Sequence, residues 1–323
     1  MKFFPKLIFI KKGLIFIIRF FVILKTSLLF ATTPLMPQDP YSDDSFNKIK
    51  DYYNISAGLP SYQLISRTEV VYETYKIQTI KLAINNFPDA VFVLKLPLVF
   101  NKPLPAVVLF SGYQTGAQAI QLVENLDSVV YVGFEYPWPM DVTLNSMKWN
   151  WKRIEVIPVL MAITLTWLSQ SEIIDHQKIN VVNVSFGNLF FPLAQRILNE
   201  QDIKMKAIIF GYGGVEISEV IGNQLKDKIS AFELEMAKVI IQNQTWIFEP
   251  KYHLPYLKGD FLVVNGTEDE VFPRSSQQDL IKNLSFTPKI ITLPGGHIQP
   301  DRTAIIKNFM NEVIKFLKEH NAI

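Results

Sequence analysis

The chain has 323 residues, 49% of them apolar, and no cysteine. That is enough for one large α/β domain with an appendage, and it excludes disulfides, zinc–thiolate sites and a cysteine nucleophile. The net charge of +2 is uneven: residues 1–36 carry six basic side chains and no acid, leaving 26 basic against 30 acidic ones in the rest. A mildly acidic body argues against a nucleic-acid partner.

Gly13 to Leu35 is mostly apolar, follows Lys2, Lys6, Lys11 and Lys12, and is long enough to span a bilayer. The lysines before it and Asp39, Asp43 and Asp44 after it predict a cytoplasmic N-terminus and a body on the far side. Arg19 and Lys25 inside the segment would have to snorkel. Residues 1–36 thus read as an uncleaved anchor or a cleaved export signal. Leu29 and Ala31 before Thr32 match only half of a small-residue cleavage site. Residues 37–64 read as a linker and irregular lead-in, with the main domain over 65–323.

Val70 to Ile84 and Ala90 to Pro97 are β-rich runs around the turn-like Asn85-Asn86-Phe87-Pro88-Asp89, which predicts an antiparallel hairpin. Ala106 to Phe110 and Val129 to Phe134 are short apolar strands. Arg153 to Ser169 is helical with apolar positions on more than one face, and so predicts a buried helix. Ile179 to Val184, Ala207 to Phe210, Phe261 to Asn265 and Ile290 to Leu293 are further strands. Helices follow from Asn188 to Asn199 and, at the end, from Thr303 to Glu319. Continuously apolar strands separated by helices predict an α/β fold, a mostly parallel sheet with helices on both faces. The stretch 214–258 is long for a plain crossover and is apolar at Phe232, Leu234, Met236, Val239, Ile240, Trp246, Ile247 and Phe248. It reads equally as a lid over the strand ends and as a packing helix with a loop. Trp138, Trp149 and Trp151 are candidates for the wall of the same cleft, or for the core.

In such sheets reactive groups gather at the carboxyl ends of the strands. One strand ends Asn183-Val184-Ser185-Phe186-Gly187 and passes at once into a helical pattern. A later strand ends Gly266-Thr267-Glu268-Asp269-Glu270-Val271-Phe272-Pro273, and the last ends Pro294-Gly295-Gly296-His297. A serine hydroxyl needs a base to become nucleophilic, and the base needs an acid to fix its tautomer. Ser185, His297 and Asp269 supply those groups. His253 is the fallback base, Glu268 and Glu270 flank the acid, and Ser185 as a plain helix cap is the bland alternative.

These three motifs resemble the α/β-hydrolase-fold serine hydrolases, of the esterase or lipase kind, over about residues 65–320. The resemblance implies that Ser185 attacks a carbonyl, His297 moves the proton, Asp269 orients His297, and the backbone N–H groups of Phe186 and Tyr113 hold the oxyanion. It implies no metal or organic cofactor; the apolar stretch 214–258, read as a lid, favours a small-molecule, apolar acyl substrate. Hydrolysis of a carboxylic ester is the expected reaction. A peptidase of the same fold and a membrane-tethered, non-catalytic binding protein are the rival readings. One position departs from the pattern: Asn183 stands where the elbow motif has glycine, and its side chain needs room or a compensating hydrogen bond.

Overall fold

In the computed structural model, which describes residues 33–137 and 147–323, the apolar runs assemble into one nine-stranded sheet. The strands are β1 (Tyr62–Val71), β2 (Tyr75–Ile84), β3 (Phe87–Pro97), β4 (Leu104–Phe110), β5 (Val130–Glu135), β6 (Ile174–Val184), β7 (Ala207–Gly211), β8 (Asp260–Gly266) and β9 (Lys289–Leu293). Their order is β1-β2-β3-β5-β4-β6-β7-β8-β9. β1, β2, β3 and β5 pair antiparallel, and every pair from β5 through β4 to β9 is parallel.

The expected hairpin is present but tighter and longer. Ile84 pairs with Phe87, so Asn85 and Asn86 alone turn the chain, with Asn86 at φ 65°. Asparagine tolerates this left-handed conformation, so two residues suffice and Phe87 to Asp89 join the strand. The run from Val70 is two strands, because Tyr72 to Thr74 reverse the chain, the Tyr72 N–H donating to the Tyr75 carbonyl at 2.8 Å.

The helices are α1 (Asp43–Tyr53), α2 (Met147–Glu155), α3 (Ile157–Ser169), α4 (Phe191–Asn199), α5 (Ile217–Leu225), α6 (Ala231–Thr245), α7 (Arg274–Asn283) and α8 (Thr303–Glu319). The lead-in expected to be irregular contains α1. Ser42 caps it by accepting from the Ser45 N–H, Asn54 ends it in the left-handed region, and Phe46, Ile49 and Tyr53 are buried beneath it. The helix expected from Arg153 is two helices, since Pro158 is tolerated only in the first turn of a new one. α3 is buried on nearly every side, as its all-round apolar sequence requires.

Strand alternation divides the core. Ala106, Val108 and Phe110 face α3 and α4, whereas Val107 and Leu109 face a 3₁₀ turn (Gly116–Gln121) and α8. Helical cover is thick on the first face and thin on the second. Thr33 and Pro34, near the end of the expected membrane segment, bond to the body, while Leu35 is exposed: the Thr33 hydroxyl donates to Glu155 at 2.8 Å, and the Pro34 carbonyl accepts from the Trp246 ring N–H at 2.6 Å. The rest of that segment lies outside the described residues, among which no helix is long and apolar enough to cross a membrane.

The stretch 214–258 carries α5, α6 and three short turns, and it belongs to the core: Trp246, Ile247, Phe248, Leu254 and Leu257 are buried. Glu249, also buried, accepts from the Glu216 and Ile217 N–H groups at 2.8 Å each, at the start of α5. Burial pushes its carboxyl up to about 7 from the ordinary 4.5, outweighing those two donors. A raised carboxyl contributes stability in full below 4.5 and loses it as pH rises through about 7. Wild type should therefore lose stability between pH 5 and 8 relative to Glu249→Gln, read from urea midpoints at each pH; parallel curves for the two proteins would count against this.

Candidate active site

β6 runs through the middle of the sheet between β4 and β7, and its last residue is Val184. The chain then turns within Ser185, which sits at φ 53°, and enters a 3₁₀ turn, Ser185–Leu189, ahead of α4. A non-glycine residue in this region is strained, and the strain marks a site. Gly187 is obligatory here: a Cβ would stand 2.0 Å from the Phe110 carbonyl oxygen at the end of β4. That close approach keeps the turn tight and moves the start of the helix past the expected Asn188.

Asn183 is accommodated rather than disruptive. It is fully buried, and its amide N–H donates at 3.2 Å to the Ile209 carbonyl of β7. Its Oδ1 finds no hydrogen-bond donor. Asn188, which sequence reasoning did not single out, donates to the Ser185 carbonyl at 3.1 Å and to the Gly211 carbonyl at 2.9 Å. It ties the turn to the end of β7. The glycines at 211, 213 and 214 signal a close approach at that strand end, but not the residue that makes it.

The loops after β8 and β9 bring the other two residues to Ser185. His297 Nε2 lies 2.8 Å from Ser185 Oγ, and His297 Nδ1 lies 2.9 Å from Asp269 Oδ2 and 3.1 Å from Oδ1. The Asp269 side chain is fully buried and that of His297 nearly so. Asp269 Oδ1 also accepts from the Val271 and Phe272 N–H groups at 2.9 Å each. The acid is thus held from behind by its own loop and accepts from Nδ1–H in front, which leaves Nε2 free to accept the serine proton. The Tyr212 and Phe272 rings flank the imidazole, each 5.9 Å away between centroids.

Both acids beside Asp269 are exposed, but Glu270 also holds the backbone of His297. Glu270 Oε2 accepts from the His297 N–H at 2.7 Å, and Arg302 Nη1 donates to the His297 carbonyl at 2.8 Å. Arg302 and Glu270 then pair at 2.9 Å, closing a clamp around the histidine backbone. Burial raises the Glu270 carboxyl, but the His297 N–H and Arg302 more than offset it and hold it below the usual range. A Cβ at Gly296 would stand 2.5 Å from both Arg302 Nη1 and Glu270 Oε2, so any larger residue there would displace the tips of the clamp.

His253, the fallback base, is not in the site. It is wholly buried, its Nε2–H donates to the Ile247 carbonyl at 2.9 Å, and burial, helped by the nearby Arg196 charge, lowers it to about 3. The Tyr113 and Phe186 rings meet edge-on at 5.9 Å, so the loop after β4 adjoins the turn beginning at Ser185. A cavity of about 260 Å³ opens at Ser185 and His297. No residue of 214–258 lines it, so the lid expectation fails: those apolar side chains fill the core or face solvent. Trp151 packs near Phe248 and bonds Glu155 instead of lining the cleft; Trp138 and the Trp149 side chain lie outside the described residues. Among the described residues no group of three or more His, Asp or Glu side chains is placed to share a metal ion.

Comparison with known proteins bears on the fold. The family model described as Serine hydrolase (FSH1) matches residues 192–309, a span that begins after Ser185 and holds Asp269 and His297. No curated protein matches the chain by sequence. Among solved structures, acetyl xylan esterase 1 from Thermoanaerobacterium sp. JW/SL YS485 superposes with a TM-score of 0.63 at 15% identity, covering 90% of this chain and 96% of that one. An acetyl xylan esterase from Paenibacillus sp. R4 gives 0.59 at 14% identity, over 89% and 99% of the two chains. A prolyl endopeptidase structure gives 0.56 at 11% identity, over 78% of this chain and 39% of that one. At such identities the likeness is one of fold. The chain therefore has the α/β-hydrolase fold and, through the matched segment, resembles the serine hydrolases of that fold.

Proposed function

We propose that the protein hydrolyses a carboxylic ester of an apolar acyl group through Ser185, His297 and Asp269. The observation that carries this reading is the unbroken hydrogen-bonded line from Ser185 Oγ through His297 to a buried Asp269. Ser185 Oγ attacks the ester carbonyl carbon while His297 Nε2 takes its proton. Collapse of the tetrahedral adduct breaks the bond to the alkoxy oxygen, which leaves as the alcohol with that proton. Water then attacks the acyl-serine by the same route, regenerating Ser185 and releasing the carboxylic acid. Asp269 stabilises the imidazolium formed in each half. The backbone N–H groups of Phe186 and Tyr113 hold the oxyanion, a role supported by the adjacency of their two loops.

The labelling test is direct. A fluorophosphonate probe is expected to label wild type and not Ser185→Ala; a well-folded wild type that resists the probe would sink the esterase reading and favour a binding protein. Asp269→Asn should lower kcat for p-nitrophenyl esters by roughly 10³–10⁴, because the wrong imidazole tautomer then faces Ser185. The peptidase alternative is separated by running aminoacyl anilides beside the esters, with ester turnover expected and anilide turnover at background.

Glu270 and Arg302 act as positioning residues. Glu270→Gln keeps the shape but loses the charge paired with Arg302. It is expected to lower kcat about tenfold with little change in KM, since the histidine is misplaced while the cavity is intact. Rescue of kcat by Glu270→Asp is not expected, because the shorter acid cannot reach the His297 N–H. Equal effects on kcat and on thermal midpoint alone would reduce the pair to a structural role.

We further propose that residues 1–36 carry the body to the non-cytoplasmic side, tethered or cleaved. The support is the positive charge and apolar length of that segment. N-terminal sequencing of the protein from a membrane fraction distinguishes an intact anchor from a processed end.

A further inference from the structure

The cavity beside Ser185 does not lie where the apolar stretch 214–258 suggested. It descends the thinly covered face of the sheet, between the Gly116–Gln121 turn and α8. Its floor is Leu109 and Val182, register partners on the adjacent strands β4 and β6. One wall is Ala119, Leu122 and Val123, and the other is Ile306, Phe309 and Met310 on α8. The gap has a structural cause. The chain leaving β4 makes only a single 3₁₀ turn on this face, while α8 packs over β7, β8 and β9, and the cavity lies between them with the buried Leu109 and Val182 closing it beneath.

The wall is fixed from outside. Lys95, itself buried, donates to the carbonyls of Ile120 at 3.3 Å and Val123 at 3.0 Å, and Glu135 accepts from the Ala117 N–H at 3.1 Å. Among the described residues no Asp, Glu, Lys or Arg lines the cavity, so none there would pair with an ammonium or a carboxylate. Its polar side chains, Ser111, Tyr113, Gln114, Thr115, Ser185, His297 and Gln299, stand on the loops and turn at the strand ends, above the apolar floor. A carbonyl held at that end would send its carbon chain down the apolar shaft and its alkoxy group outward.

We propose that this shaft is the acyl-chain site, and that it selects unbranched medium-chain acyl esters over acetyl ones. The inference rests on Ser185 acting as proposed above. The volume of about 260 Å³ leaves room for a chain of several carbons beyond the carbonyl. Its walls should set the length limit.

The test uses the full chain and p-nitrophenyl esters from acetate to dodecanoate, with octyl acetate and ethyl octanoate compared directly. Wild type is expected to show kcat/KM rising about tenfold or more from acetate to octanoate, and to prefer ethyl octanoate to octyl acetate. Ile306→Trp and Leu122→Trp fill the shaft from opposite walls at positions that are not fully buried. Each should lower octanoate kcat/KM about tenfold while leaving acetate turnover and fluorophosphonate labelling near wild type. A flat or acetate-favouring profile, or a preference for octyl acetate, would overturn the assignment. Calorimetry of octanoate binding to Ser185→Ala reads the shaft without chemistry, with binding expected and acetate silent. Failure of labelling with octanoate binding retained would refute the catalytic reading and keep the shaft; labelling retained with no octanoate binding and no chain-length preference would do the reverse.

Discussion

The site depends on one close approach, between the Gly187 backbone and the Phe110 carbonyl at the end of β4. With nothing but hydrogen on the glycine Cα, the chain can leave β6 and reverse into α4 within the few residues of one turn. Ser185 is then forced into the left-handed region at the point of the reversal. A helix entered more gradually would carry the hydroxyl down against the sheet, away from the loops that follow β8 and β9. The strain at Ser185 is of order 1–3 kcal/mol and is sustained by a buried sheet paired on both sides of β6. Asn188 adds two hydrogen bonds that bind the turn to β7.

Around that fixed point the remaining groups are held by backbone contacts. Asp269 is braced by two N–H groups of its own loop, and His297 by a carboxylate on its N–H and a guanidinium on its carbonyl. A histidine side chain placed by its backbone clamp loses little further freedom when it meets the serine. Such preorganisation is what a proton shuttle requires, because misplacement by an ångström is costly in rate. A side chain at 296 would displace the clamp and Gly295 sits at φ 109°, so the Gly-Gly-His sequence reflects the geometry of the loop and not only the histidine it delivers.

Much of this was legible in the sequence because parallel strands buried on both faces read as short apolar runs. Ser185, Asp269 and His297 each follow such a run directly, and chain order then matches spatial order. The clamp was not legible: Arg302 reaches back over a loop whose path no spacing rule fixes, and three neighbouring acids look alike until one is seen to accept from His297. α1 was hidden by its caps, since Ser42, Asp43, Asp44 and Asn54 read as loop composition while Phe46, Ile49 and Tyr53 carried the helical face. The stretch 214–258 was ambiguous for another reason. Apolar composition states that a segment must be covered, not whether it covers the core or the site, and only its packing of Trp246, Ile247 and Phe248 into the first face decides that.

The asymmetry of the two sheet faces links the fold to the chemistry. On the face with α3 and α4, aromatic side chains such as Phe110, Phe190, Phe191 and Phe210 fill the space beneath the turn at Ser185 and support it. Rigidity there is useful, because the strained residue needs an unyielding floor. On the opposite face a short turn replaces a longer element, and the resulting shaft meets the same serine from below. Filling that face with a full helix would add buried apolar area and stability, yet it would close the shaft. Lys95 meets this trade-off in a specific way: it holds the 120–123 carbonyls at the cost of burying an ammonium, whose pKa desolvation lowers. A buried charge that braces a wall only a few residues long is explained if the space behind the wall must stay open.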